Sequence, residues 1–236
     1  MDTQYILFFL LLFILLYISY CNNYSKETYV NMNVKIPENI LKYFSETEFL
    51  KNTGYFQIKY LEYKKDNLDV EKYTEGTITD FIEQTLNDQD NRYQIKQIFN
   101  NNKLSTYILN NAYTPIVKLL GLNNVKPGYI RISKKKWSFD YHYDCLNLLL
   151  VQLCGTRTIY TKKTLKSKME KHILNPGDTL YIPLGVYHKV ETNSHLNINF
   201  NIIFEEKNDD KIIKCNKNFK KDYKIQHKQC KTNNCI

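Results

Sequence analysis

Three side chains in the second half of the chain have the types and spacing of a metal site: His142, Asp144 and His188. His142 and Asp144 flank Tyr143, and in an extended strand residues i and i+2 project to the same face. An imidazole beside a carboxylate suits Fe(II), and two histidines with one carboxylate leave adjacent coordination positions open. His188 belongs to a later strand, so it completes the set only where the sheet curls back, as a jelly-roll does. Each piece alone is weak. His-x-Asp recurs by chance, and a lone histidine is ordinarily a surface or hydrogen-bonded residue. The combination carries weight because a hairpin of buried type and a Pro176-Gly177-Asp178 turn lie between its two halves.

The elements that must position these residues are short strands. Tyr129 to Ser133 alternates as a half-buried strand does. Leu148 to Leu153 is a continuous apolar run, fit for a strand covered on both faces. Cys154-Gly155 makes a tight turn, and Arg157 to Thr161 returns with β-branched residues. Asn175-Pro176-Gly177-Asp178 is a strong turn signal after Ile173-Leu174. Thr179–Ile182, Tyr187–Glu191 and Leu196–Phe204 complete the series. Such spacing predicts a mainly β, antiparallel sandwich or barrel over residues 128–206.

Residues 23–127 read as a mixed α/β support region without a catalytic constellation. Pro37-Glu38-Asn39 opens a helix that Gly54 stops, and a strand follows over Tyr55–Leu61. Thr79 is placed to cap a helix from Asp80, and a second helical stretch is expected over 91–99. Residues 105–121 carry apolar positions for packed helix or loop. Ahead of this region, residues 5–20 are uncharged and apolar with tyrosines at both ends. Residues 1–22 therefore read as a membrane anchor, with a cleaved signal segment as the alternative; Asp2 and the lack of a basic flank favour the anchor. Lys26 and Lys35 on its C-terminal side favour a cytoplasmic domain by the positive-inside tendency. Residues 207–236 read as a basic, flexible tail.

The net charge of +9 is spread along the chain and comes almost wholly from lysine; the arginines are Arg92, Arg131 and Arg157. Arginine supplies the fork that reads bases and phosphates, so this balance argues against sequence-specific nucleic-acid binding. No two of the six cysteines form a C-x-x-C pair, which excludes a zinc ribbon. Cys215, Cys230 and Cys235 either form one bridge with one thiol left over or are all free, while Cys145 reads as a small buried residue.

The central stretch resembles the JmjC/cupin-like family of Fe(II)- and 2-oxoglutarate-dependent oxygenases, and within it the asparaginyl-hydroxylase-like subgroup. The likeness is carried by His142-Tyr143-Asp144, by Gln152, Gly155 and Arg157, by Pro176 through Pro183, by His188 and by Ile198-Asn199-Phe200. It implies a double-stranded β-helix with Fe(II) on His142, Asp144 and His188. It implies that Arg157 holds the distal carboxylate of 2-oxoglutarate, with Asn199 and Asn147 nearby. It also implies O2 as co-reactant and oxidative decarboxylation coupled to hydroxylation of a C–H bond. A protein or peptide is the implied substrate, ahead of lysine demethylation and of RNA hydroxylation. One departure stands out. The family often has Thr three residues before the first iron histidine, where this chain has Phe139. A phenyl ring cannot donate the hydrogen bond that Thr gives, so Tyr129 and Tyr160 become candidate substitutes. The alternative reading, a non-catalytic cupin-like interaction module on a membrane anchor, rests on that departure.

Overall fold

The computed structural model describes residues 34–64, 67–87, 92–98, 102–134, 138–164, 166–205 and Cys215. The apolar run over 5–20 lies outside them, as do His227, Cys230 and Cys235. Among the described residues no helix is long and apolar enough to cross a membrane.

The strands, in chain order, are β1 (Gln57–Lys64), β2 (Asn67–Thr77), β3 (Arg92–Ile98), β4 (Val125–Lys134), β5 (Ser138–His142), β6 (Asn147–Cys154), β7 (Arg157–Lys162), β8 (Glu170–Leu174), β9 (Thr179–Ile182), β10 (Tyr187–Thr192) and β11 (Leu196–Phe204). They form a seven-stranded sheet in the order β2-β1-β3-β4-β11-β6-β9 and a four-stranded sheet in the order β5-β10-β7-β8. The pairings are antiparallel throughout. The expected β6–β7 hairpin is instead a crossing from the larger sheet to the smaller: β6 pairs with β11 and β9, and β7 with β10 and β8.

Side-chain alternation gives the larger sheet two different faces. Ile130 and Ile132 of β4, Leu149, Val151 and Leu153 of β6, and Ile198, Phe200 and Ile202 of β11 join one apolar cluster. That cluster also takes Phe44, Phe49, Phe81, Leu104, Ile108 and Ile116 from the helical segments. Among the intervening residues of the same strands, Ser133, Gln152, Asn197, Asn199 and Asn201 are polar and buried, while Leu148 and Leu150 of β6 are apolar and buried. A strand's period of two sends these to the opposite face, toward the interior of the barrel. The helices of the support region therefore cover the outer face of the larger sheet, and the inner face of that sheet looks toward the four-stranded sheet that carries His142, His188 and Arg157.

Several local expectations are corrected. The helix expected over 91–99 is strand β3, paired to β1 at Leu61↔Gln94 and to β4 at Gln94↔Ser133. A ladder on both sides outweighs weak helical periodicity, and Ile95 fills the apolar cluster from this position. The helix Ile78–Asn87 starts two residues earlier than expected. Its cap is reciprocal: Thr77 Oγ1 accepts from Asp80 N (3.0 Å) and Asp80 Oδ2 accepts from Thr77 N (2.7 Å). The helix expected between Pro37 and Gly54 breaks at Ser45, which caps Glu46–Thr53 through Glu48 N (3.4 Å). Cys145 is bridged to Cys215, with Cα atoms 5.5 Å apart, rather than being a plain core residue. Cys215 is buried, so this position of the tail is tied to the barrel.

Two tight turns carry the chain between the sheets, one from β6 to β7 and one from β8 to β9. Gly155 has φ +71°, and a Cβ there would lie 2.0 Å from Leu196 O. Asn175-Pro176-Gly177-Asp178 closes through Asn175 N to Asp178 Oδ2 (2.8 Å) and docks on β6 through Gly177 N to Gln152 O (2.8 Å). Gly155→Ala is expected to cost at least about 2 kcal/mol, because left-handed strain adds to overlap with backbone that cannot yield. Gly185→Ala is the control: φ is +80° but nothing lies within 4 Å of its Cβ. Urea denaturation should show Gly155→Ala well below Gly185→Ala; equal stabilities would contradict the close-approach account.

Candidate metal centre and polar interior

Strand β10 places His188 opposite His142 of β5 on one side and opposite Thr161 of β7 on the other. The register then slips, so that Val190 meets Phe139, a β-bulge beside the site. One ligand atom from each of His142, Asp144 and His188 lies within 4.8 Å of the others. His188 Nε2 stands 3.7 Å from Asp144 Oδ2, and the two imidazole centroids are 4.2 Å apart.

The surroundings set the tautomer. His188 Nδ1 lies 3.1 Å from Val186 O, a carbonyl that can only accept a hydrogen bond, so Nδ1 carries the hydrogen. This leaves the Nε2 lone pair facing the carboxylate of Asp144. Burial pushes the His188 pKa below its ordinary value, while Asp144 pulls it back up. A neutral imidazole whose second nitrogen is held by a carbonyl is the usual form of a metal-ligating histidine. Two electron-rich atoms facing each other across this gap fit a cation between them. The donor set of two imidazoles and one carboxylate therefore fits Fe(II).

The loops bearing these ligands are stitched together. Gly185 N donates to Asp144 O (2.9 Å), and Leu184 N donates to Asn147 Oδ1 (2.7 Å). The Cys145–Cys215 bridge anchors the residue next to Asp144. Tyr143 and Tyr187 meet edge to face with centroids 4.9 Å apart. Asn147 thus uses its carbonyl oxygen to hold the loop that leads to His188.

Deeper in the barrel lies a polar interior. Arg157 opens β7 opposite Thr192 and is 2% exposed, yet its Nε and Nη2 have no hydrogen-bond partner. Burial lowers its pKa to about 9, and the nearby charge of Arg131 adds to the effect. A buried cation with an unmet fork is costly and is offset by a bidentate anion such as a carboxylate. Asn199 sits between Arg131 of β4 and Gln152 of β6. Its Nδ2 donates to Arg131 O (3.2 Å), while its Oδ1 is buried without a partner.

Phe139 does not occupy this interior. It is 43% exposed, and its ring packs edge-on against His142 at 4.5 Å between centroids. The register slip beside His188 sets Phe139 opposite Val190, so the ring lies at the exposed rim on the same side as His142. Tyr160 is also excluded as a hydroxyl donor to the interior, because its OH donates to Glu191 Oε2 at 3.1 Å on the outer face of β7. Tyr129 shares the inward face of β4 with Arg131, whose guanidinium lies 5.6 Å from its ring. His172 contacts Thr161 Oγ1 at 2.9 Å. Sequence reasoning missed Ser133 and Gln94, two buried polar residues on the inward face; the alternation of β4 was the available signal for Ser133.

Residues 158–210 match the profile of a cupin-like domain family. The match includes His188 and Asn199 and begins one residue after Arg157. No curated protein matches the chain. Among solved structures, a conserved protein of unknown function from Streptococcus pyogenes is similar at 14% identity and TM-score 0.29, over 37% of this chain and 69% of that one. The Drosophila melanogaster CENP-C cupin domain is similar at 15% identity and TM-score 0.30, over 34% of this chain and 59% of that one. CENP-C of the same organism bound to CAL1 gives 15% identity and TM-score 0.30, over 34% of this chain and 64% of that one. The chain is a mainly β protein, and its residues 158–210 are similar to a cupin-like domain.

Proposed function

We propose that this protein is an Fe(II)- and 2-oxoglutarate-dependent oxygenase that hydroxylates a protein or peptide. The observation that carries the reading is the pairing of two features in one barrel: a His142–Asp144–His188 set with ligand atoms within 4.8 Å of one another, and a buried Arg157 with an unmet fork. Bound Fe(II) would supply the activation of O2 and the decarboxylation of 2-oxoglutarate. The chain's own residues hold the metal, orient the cosubstrate carboxylate through Arg157, and keep the interior dry with Leu148, Leu150 and Leu180. The subgroup resemblance supports a side chain of a protein as the substrate. The competing reading, a non-catalytic interaction module, rests on Phe139, which brings no hydroxyl to the position where the family often has Thr.

We also propose that residues 5–20 tether the domain to a membrane, with the barrel in an oxidising compartment. Disulfides persist in such compartments and are rare in the cytoplasm. The Cys145–Cys215 bridge therefore outweighs the orientation bias of Lys26 and Lys35.

Two outcomes follow. The full chain loaded with Fe(II) should be stabilised by 2-oxoglutarate by about 2.7 kcal/mol at 100 times Kd and should form succinate. His142→Ala should abolish both effects. A folded protein that binds neither metal nor 2-oxoglutarate would sink the proposal, and binding without succinate release in the presence of candidate peptides would favour the interaction module. For the compartment, thiol alkylation in intact cells should leave Cys145 unlabelled until reductant is added. Full labelling without reductant would contradict the oxidising location.

A further inference from the structure

The inward face holds a second set of donors that no motif announced. Ser133 is 0% exposed and its Oγ has no hydrogen-bond partner. Gln94, its cross-strand neighbour on β3, is 2% exposed, and its Nε2 has no partner either. A buried unmet donor costs free energy, and native chains retain few of them. Two side by side on one rung, facing the interior, call for an acceptor.

The topology puts that rung across from Arg157. Lys134, next to Ser133, accepts a hydrogen bond at its carbonyl from Thr192 Oγ1. Thr192 is the cross-strand partner of Arg157. The end of β4 in the larger sheet and the start of β7 in the smaller one therefore meet at the same level of the barrel. Ser133 also pairs with Asn197, whose Oδ1 accepts from Gln152 Nε2 at 3.3 Å. Gln152 Nε2 donates as well to Gly155 O at 3.0 Å, in the turn that leads directly into Arg157. Pairings and hydrogen bonds through Asn197, Gln152 and the Lys134–Thr192 contact thus link Gln94 and Ser133 to Arg157.

The donor chemistry is complementary. Arg157 offers Nε and Nη2, the side-on edge of its guanidinium, which spans both oxygens of one carboxylate. A carboxylate has about four lone-pair sites, so a fork on one side leaves the others to be met. A hydroxyl and an amide N–H from the opposite sheet fit those sites.

We propose that Ser133 and Gln94 bind the same carboxylate as Arg157, closing a cradle between the two sheets. This rests on the reading of the interior as a 2-oxoglutarate site. It assigns to β4 the hydroxyl that the family spacing places at residue 139, and it explains how the site dispenses with a donor there.

The test uses the full chain with Mn(II) as the metal and 2-oxoglutarate as the probe. It compares the parent with Ser133→Ala, Ser133→Thr, Gln94→Leu and Arg157→Met. Three quantities are read: thermal stability without ligand, metal affinity, and 2-oxoglutarate affinity. Ser133→Ala and Gln94→Leu should each weaken 2-oxoglutarate binding about 10-fold or more, since hydrogen bonds to charged groups are the stronger kind. Metal affinity should stay the same. The ligand-free melting temperature of both variants should equal or exceed that of the parent, because each substitution deletes an unmet buried group. Ser133→Thr, which keeps the hydroxyl, should bind within about threefold of the parent. If Ser133→Ala does not fold, Gln94→Leu carries the test alone. Unchanged 2-oxoglutarate affinity in the alanine and leucine variants, with loss in Arg157→Met, overturns this inference and leaves the site reading intact. A parent protein that binds Mn(II) but not 2-oxoglutarate overturns both. A fall in ligand-free stability together with metal affinity marks a structural role and also overturns it.

Discussion

The strict two-residue alternation of β4, β6 and β11 is the constraint on which the rest of this structure depends. Ile198, Phe200 and Ile202 face the helices, while Asn197, Asn199 and Asn201 face the barrel interior. A slip of one residue would drive asparagines into the apolar cluster and isoleucines into the polar space. Both faces are buried, so the register is specified twice, once by hydrophobic burial and once by polar contacts. The apolar face stabilises the fold. The polar face carries unmet donors and acceptors at Gln94, Ser133, Gln152, Arg157, Asn199 and Asn201, a cost that a ligand-binding interior explains.

Closure of the barrel brings the candidate metal centre together. His142 and Asp144 arrive on β5 and the loop after it, His188 on β10, and the ladder between the two strands sets the histidines opposite each other. Neighbouring loops are held by Asn147, by the Asp144–Gly185 backbone contact and by the Cys145–Cys215 bridge. Rigid loops matter for such a site, because ligand geometry is fixed by what surrounds the ligands.

Much of the barrel was legible in the sequence because its signals are local. Pro176-Gly177 and Cys154-Gly155 mark turns, and runs such as Leu148–Leu153 can only be buried strand in this setting. The clustering of His142, Asp144 and His188 was legible from strand periodicity joined to a family resemblance. What was missed depends on partners distant in sequence. Residues 91–99 became a strand only because β1 and β4 flank them. Cys145 found Cys215 across a separation of 70 residues, which spacing alone does not reveal. Position 139 came from the family's spacing, and the β5–β10 bulge that sets Phe139 opposite Val190 shows only in the pairing register. Ser133 was read as one more residue of an alternating strand, and its importance lies in having no partner, which only the fold exposes.

The reading of the interior as an Fe(II) and 2-oxoglutarate site is tested most directly by anaerobic visible spectroscopy of the Fe(II)-loaded protein. Addition of 2-oxoglutarate should produce the charge-transfer absorption that arises when a 2-oxo acid joins ferrous iron. Asp144→Ala should abolish it, and Arg157→Met should shift its half-saturation to much higher 2-oxoglutarate. A protein that holds one equivalent of Fe(II) on these ligands yet shows no absorption change at saturating 2-oxoglutarate would contradict the account.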